Sequence, residues 1–185
     1  MARSGNSQMP PNGSAATLAS ARSGDYPAAP VTTILSTHVE VYLFRRRGRR
    51  VEFLLLRRAA SRRTLPGVWQ PVTGKRNIRE RMLAAAIREV REETGFEPAR
   101  WWALETMTLY PDIARDRIVA LPLFAAEVGP SARVQLSREH DDSKWVTAGE
   151  AARLVLWDSQ RRGLDAVRRE VLGVKRLADA LEIST

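Results

Sequence analysis

Residues Gly74–Phe96 read GKRNIRERMLAAAIREVREETGF. Met82, Leu83, Ala86, Ile87 and Val90 recur at the helical period, which predicts a helix with an apolar stripe. Glu89, Glu92 and Glu93 are spaced three and four apart, which puts them on one face. The expected helix therefore has an apolar back on a core and an acidic front. Gly95 stands where a helix C-terminal glycine is expected. Crowded acids repel one another. A hard divalent cation such as Mg2+, which prefers carboxylate and phosphate oxygens, would relieve the repulsion. The plainer alternative is a solvated helix laced with ion pairs from Arg88 and Arg91.

The surrounding residues extend the pattern to G-x5-E-x7-R-E-U-x-E-E-x-G-U, with U a bulky apolar residue. Gly74, Glu80, Arg88, Glu89, Val90, Glu92, Glu93, Gly95 and Phe96 fill every position. This run resembles the Nudix box, the signature of the Nudix hydrolases. Phe96 stands where an aliphatic residue is commoner in that family. Many members also carry Gly where Arg79 stands and Glu where Asn77 stands.

The resemblance covers about residues 31–185 and implies the Nudix fold. That is an α/β (α+β) arrangement, a mixed β-sheet between helices with a loop-helix-loop catalytic motif. Strand-like runs, one acidic helix, more strands and then terminal helices suit such layering. The resemblance implies Mg2+, with Mn2+ as a substitute, held by Glu89, Glu92 and Glu93. A Glu-His pair a few residues before a Trp recurs in the same relatives, which adds Glu139. Glu93, Glu89 and Glu139 are candidates for the general base, and Arg88 is expected to orient a neighbouring glutamate by ion pairing. Glu80 is expected to support from behind. The run Trp69-Gln70-Pro71-Val72-Thr73-Gly74 is similar to members that cleave dihydroneopterin triphosphate or nucleoside triphosphates, so Arg57, Thr73 and Gly74 are the expected substrate contacts. Arginine suits phosphate because its planar fork donates two hydrogen bonds at once.

The implied function is Mg-dependent hydrolysis of a pyrophosphate bond in a small-molecule phosphoanhydride, a nucleoside or dihydroneopterin triphosphate giving monophosphate and pyrophosphate. Two alternatives stay open: a pyrophosphohydrolase of RNA 5′ ends, and a Nudix-fold module that binds nucleotides without cleaving them. Eroded glutamates usually mark the latter, and here all are present. Many relatives are dimers, so a homodimer is one expectation.

The rest of the chain bounds these readings. The chain has 185 residues, 44% of them hydrophobic, which suits one globular domain. It contains no cysteine, which removes disulfides, Cys-ligated zinc and thiol catalysis, and fits a cytoplasmic location. No apolar run is long enough for a membrane span. The formal net charge of +9 attracts anions, nucleotides and nucleic acids among them. Residues 1–30, rich in Ser, Gly, Ala and Pro, are expected to form a disordered tail.

Residues 37–44 and 51–56 read as strands of a hairpin whose tip is the arginine block Arg45–Arg50. That block is a solvated turn or a nucleic-acid grip. Residues 101–110 and 117–128 read as two more strands. Trp101 and Trp102 are expected to be packing residues, and Trp69 either a core or rim aromatic or a ring that stacks on a base or pterin. Thr147 and Glu150 match a capping box that opens a helix to about Trp157. A further helix carries Leu164, Val167 and Val171, ends at Gly173, and is followed by a short one to Leu181.

Overall fold

The computed structural model describes residues 34–184, so the expected tail lies outside the described residues. The strands are β1 (Ile34–Leu35), β2 (His38–Arg47), β3 (Arg50–Arg58), β4 (Trp69–Gln70) and β5 (Val72–Lys75). Helix α1 (Met82–Thr94) follows, then β6 (Arg100–Asp112), β7 (Arg117–Glu127) and β8 (His140–Val146). The chain closes with α2 (Ala148–Leu154), α3 (Asp158–Ala166), a π-helical turn at Val167–Val171, α4 (Lys175–Leu181) and β9 (Glu182–Ile183).

Strand β2 is the spine of a mixed sheet. It pairs in parallel with β7 on one side. On the other side its first half takes β5, Val39 opposite Gly74, and its second half takes β3, Phe44 opposite Phe53. Strand β3 diverges from β2 and pairs with β8 and the short β4. Strand β6 lies antiparallel to β7, and β9 pairs with it beyond.

Both faces of the sheet are covered, which is why β2, apart from Glu40, and β7 read as apolar runs rather than alternating ones. Val39, Val41 and Leu43 face one core with Ala85, Ala86 and Val90 of α1. Tyr42 and Phe44 face the other, with Ala151 of α2, Leu164 of α3, and Val167 and Val171. The adjacent tryptophans split between them: Trp101 packs on the α1 side and Trp102 on the other, as successive side chains of a strand must. Glu40 enters the second core as a buried carboxylate. The Tyr42 hydroxyl donates to it, Gln160 Nε2 lies 3.4 Å from it, and burial pushes its pKa up.

Three local expectations are adjusted. The hairpin tip is two residues, Gly48-Arg49, so Arg45, Arg46, Arg47 and Arg50 lie in strands. Arg45 bonds Glu52 and stacks 4.3 Å over Trp145, and Arg46 bonds Glu127. Helix α2 ends at Leu154 rather than near Trp157, and its Thr147–Glu150 capping box is present. Met82 is exposed and Ala85 takes its place in the core, and Glu93, on the face it shares with Glu89 and Glu92, is buried rather than solvated. Among the described residues no helix is long and apolar enough to cross a membrane.

Candidate active site

Helix α1 is held between two fixed ends. At its C-terminus Gly95 adopts φ 72°, a left-handed conformation that costs glycine little, and its N–H reaches Arg91 O at 2.9 Å. At its N-terminus the loop from β5 is laced by side chains. Arg76 bonds Ser36 O and Glu80 O, and Glu80 accepts from the backbone N–H of Asn77 at 2.8 Å. Arg79 sits at φ 64°, the strained left-handed region. This gives a physical reason why glycine suits that position.

Arg88 is the hub. Its Nε and Nη2 grip the two Glu80 oxygens at 2.9 and 3.0 Å. Its Nη1 bonds Glu89 at 2.8 Å and Glu92 at 3.1 Å, and Nη2 also reaches Lys75 O. The Arg88 fork pulls the Glu80 pKa down to about 2, and Glu80 in turn raises that of Arg88. Arg88 thus ties the loop before the helix to two of the helix acids. Gly74 lies so close to Glu89 that a Cβ there would sit 1.9 Å from the Glu89 Cδ.

A cavity of 430 Å³ opens where these elements meet. Glu89, Glu92 and Glu93 line it from α1, and Glu139 from the turn before β8. Thr73, Gly74 and Lys75 line it from β5, Gln70 from β4 and His38 from β2. Arg58, at the end of β3, and Arg62 complete the wall, and Arg62 Nη2 lies 3.1 Å from Glu139. A larger open depression of 650 Å³ runs along the flank of α1 by Ala84, Ile87, Arg88, Arg91 and Glu92. It lacks Glu89, Glu93 and Glu139, so the acids converge in the smaller cavity.

Of the residues expected at the site, Glu89, Glu92, Glu93, Glu139, Thr73 and Gly74 are brought together. Arg88 and Glu80 stand behind them. Arg57 is not among the cavity residues. It donates to Asp141 at 2.7 Å and packs by Trp69, 5.7 Å from the ring. Strand alternation explains this: Leu54 and Leu56 face α1, so Arg58 follows them and Arg57 faces away. That parity was available in the sequence once the buried leucines were assigned a face. Lys75, His38 and Arg62 carried no such signal.

The acids differ in electrostatic state. Burial, then the charges of Glu89 and Glu139, push the Glu93 pKa well up. Burial also raises Glu89, against the pull of Arg88. Glu93 Oε2 is buried without a hydrogen-bond partner, and so are both ring nitrogens of His140. Burial drops the His140 pKa to about 4, so its ring is neutral. Among the described residues no three His, Cys, Asp or Glu side chains stand ready-made around an ion, and Arg88 occupies oxygens of Glu89 and Glu92. The donor chemistry nevertheless fits a hard divalent cation: all-oxygen, crowded with negative charge, with one buried carboxylate oxygen unsatisfied.

The NUDIX domain model matches residues 35–167. The chain belongs to the NUDIX family. An octanoyltransferase of Myxococcus xanthus is 33% identical over 109 residues, 58% of this chain. This chain spans 30% of that relative's length, and 25% of the next curated relative it matches. The nucleoside triphosphatase NudI of Klebsiella pneumoniae (strain 342) is 30% identical over 132 residues, 68% of this chain and 88% of that protein. Among solved structures, the MutT protein of Methanosarcina mazei Go1 superposes with a TM-score of 0.60 at 27% identity, over 75% of this chain and 96% of that one. The NUDIX match contains the Arg88 hub, the cavity and all four of its glutamates.

Proposed function

We propose that this chain hydrolyses a phosphoanhydride bond in a nucleoside triphosphate or dihydroneopterin triphosphate, releasing monophosphate and pyrophosphate with Mg2+ as cofactor. One observation carries the reading. A single 430 Å³ cavity holds four carboxylates and the three cationic side chains Arg58, Arg62 and Lys75. Carboxylates suit a hard cation, and guanidinium and ammonium groups suit phosphate oxygens. The likeness to a nucleoside triphosphatase over 88% of its length supports the triphosphate class.

In this reading Glu89, Glu92 and Glu93 hold the divalent ion, with Glu139 beside them. Such an ion neutralises phosphoryl charge and lowers the pKa of water. Arg58, Arg62 and Lys75 bind the phosphate chain and draw charge from the phosphorus that is attacked. A water oxygen bonds that phosphorus as the bridging P–O bond breaks. Glu139 accepts the water proton, and pyrophosphate leaves. Glu139 lines the cavity from the turn before β8, out of reach of Arg88, and its 3.1 Å pairing with Arg62 is given up as Arg62 turns to the phosphate chain. Arg88 keeps Glu89 in place while Glu80 neutralises it from behind.

The test is incubation with Mg2+ and a panel: nucleoside triphosphates, dihydroneopterin triphosphate, dinucleoside polyphosphates, nucleotide sugars and triphosphorylated RNA. Glu93→Gln runs alongside, and pyrophosphate and monophosphate are measured separately. Release of pyrophosphate from a triphosphate, lost in Glu93→Gln, is the expected result. Full activity in Glu93→Gln, or binding of a nucleotide with no turnover of any compound, would overturn the reading.

A further inference from the structure

We propose that His140 is a positioning residue for Glu93, an assignment that rests on the site reading above. His140 Nδ1 lies 3.9 Å from Glu93 Oε2. Both side chains are buried, and neither facing atom has a hydrogen-bond partner. Unpartnered polar atoms inside a protein cost free energy and are rare. Two of them facing each other across less than 4 Å form an acceptor and a donor waiting to close. A neutral imidazole protonated at Nδ1 donates to the carboxylate, fixing its rotation about the Cγ–Cδ bond. Its other oxygen is then presented to the cavity. Orientation of this kind, by a group that never touches the ion, is how outer contacts tune a metal-binding carboxylate.

The backbone is built to deliver His140 there. Opposite β3, Ser143 pairs with Leu56 and Asp142 with Arg57, but the next pair is His140 with Arg58. Asp141 is therefore an extra residue, a β-bulge. Without it, strand alternation would set residue 141 on the α1 side and turn His140 to the opposite face. The bulge reverses that order. His140 joins Arg58 on the side of α1, against Glu93. Asp141 turns outward, where its carboxylate receives Arg57 Nε at 2.7 Å and the Ala60 N–H at 3.3 Å. Those two bonds pin the bulge. Glu139, one residue before, lines the cavity, so a single irregularity places two consecutive residues in different roles.

The experiment compares three variants of the full chain. His140→Asn puts an amide nitrogen where Nδ1 stands. His140→Gln puts one nearer Nε2. His140→Leu keeps bulk and removes the donor. The readouts are Mn2+ affinity of the metal-free protein by electron paramagnetic resonance, kcat and KM separately, and Tm. His140→Leu is expected to weaken Mn2+ binding or lower kcat about 10–100-fold, the usual effect of losing such a partner. His140→Asn is expected to stay within about threefold of the parent while His140→Gln behaves like His140→Leu. A purely structural role would lower Tm and would not rank Asn above Gln. Equal behaviour of Asn and Gln, or a His140→Leu protein with parental Mn2+ affinity and kcat, overturns the assignment. Glu93→Gln separates the two levels. If it binds Mn2+ like the parent, the metal-site reading itself falls. If it loses Mn2+ while His140→Leu keeps both Mn2+ affinity and kcat, only the positioning role falls.

Discussion

Gly74→Ala isolates the geometry of the site from the stability of the fold. Gly74 lies in β5 opposite Val39 and is not among the glycines with positive φ, so the backbone accepts alanine. The added Cβ would sit 1.9 Å from Glu89 Cδ and 2.0 Å from Cγ. Carbon atoms prefer about 3.5–4.0 Å, so the Glu89 side chain must retreat by roughly 1.5–2 Å. That movement breaks its 2.8 Å bond to Arg88 Nη1. A lost hydrogen bond costs about 0.5–1.5 kcal/mol, and an off-rotamer side chain a similar amount. Replacing glycine in an unstrained conformation returns about 0.4–1 kcal/mol. The net loss is about 0–2.6 kcal/mol, a fall in Tm of at most roughly 10 °C for a domain of this size. Activity responds more, because a displacement of about 1 Å in a catalytic group costs about 100-fold, near 2.7 kcal/mol of transition-state stabilisation. Thermal unfolding followed by circular dichroism and kcat/KM on the best panel substrate measure the two effects together. A variant that keeps kcat/KM within about threefold, or one that fails to fold, would refute the reasoning.

Gly163→Ala should do the reverse and harm stability first. Its Cβ would lie 2.0 Å from Tyr42 Oη, and Tyr42 is 1% exposed with nowhere to move, so overpacking of about 1–3 kcal/mol is expected in urea unfolding. At Arg79, φ 64° disfavours any residue with a Cβ. Arg79→Gly should be neutral or stabilising by up to about 1 kcal/mol, and Arg79→Val should be destabilised in the same assay, because a β-branched side chain crowds that conformation further. Glu93 has a folded pKa above its unfolded value, so the metal-free protein loses stability as pH rises from the unfolded pKa through the folded one. Glu93→Gln should therefore melt higher than the parent in metal-free buffer at pH 8, with the gap closing at pH 4, and Mg2+ should stabilise the parent alone.

The sequence by itself determined the framework of the candidate site. Gly74, Glu80, Arg88, Glu89, Glu92, Glu93 and Gly95 are fixed by spacing along one loop and one helix, where neighbours in sequence are neighbours in space. The strand runs were legible for a similar reason, since β2 and β7 are buried on both faces and read as largely apolar segments, broken in β2 by Glu40. The two-residue strands β1 and β9 were not, because so short a segment is defined by its partner rather than its own pattern.

The facing of side chains was decided in the tertiary structure. Whether Arg57 or Arg58 enters the cavity depends on which face of β3 meets α1. Which apolar residues of α1 meet the sheet, Ala85 buried and Met82 exposed, is settled by packing, and so is the burial of Glu93. His140 reaches Glu93 because β8 takes one extra residue against β3, and that register is set by a strand more than eighty positions away. Local periodicity records which residues can share a face. It does not record which partner that face will meet, because the partner is chosen by packing between segments distant in the chain.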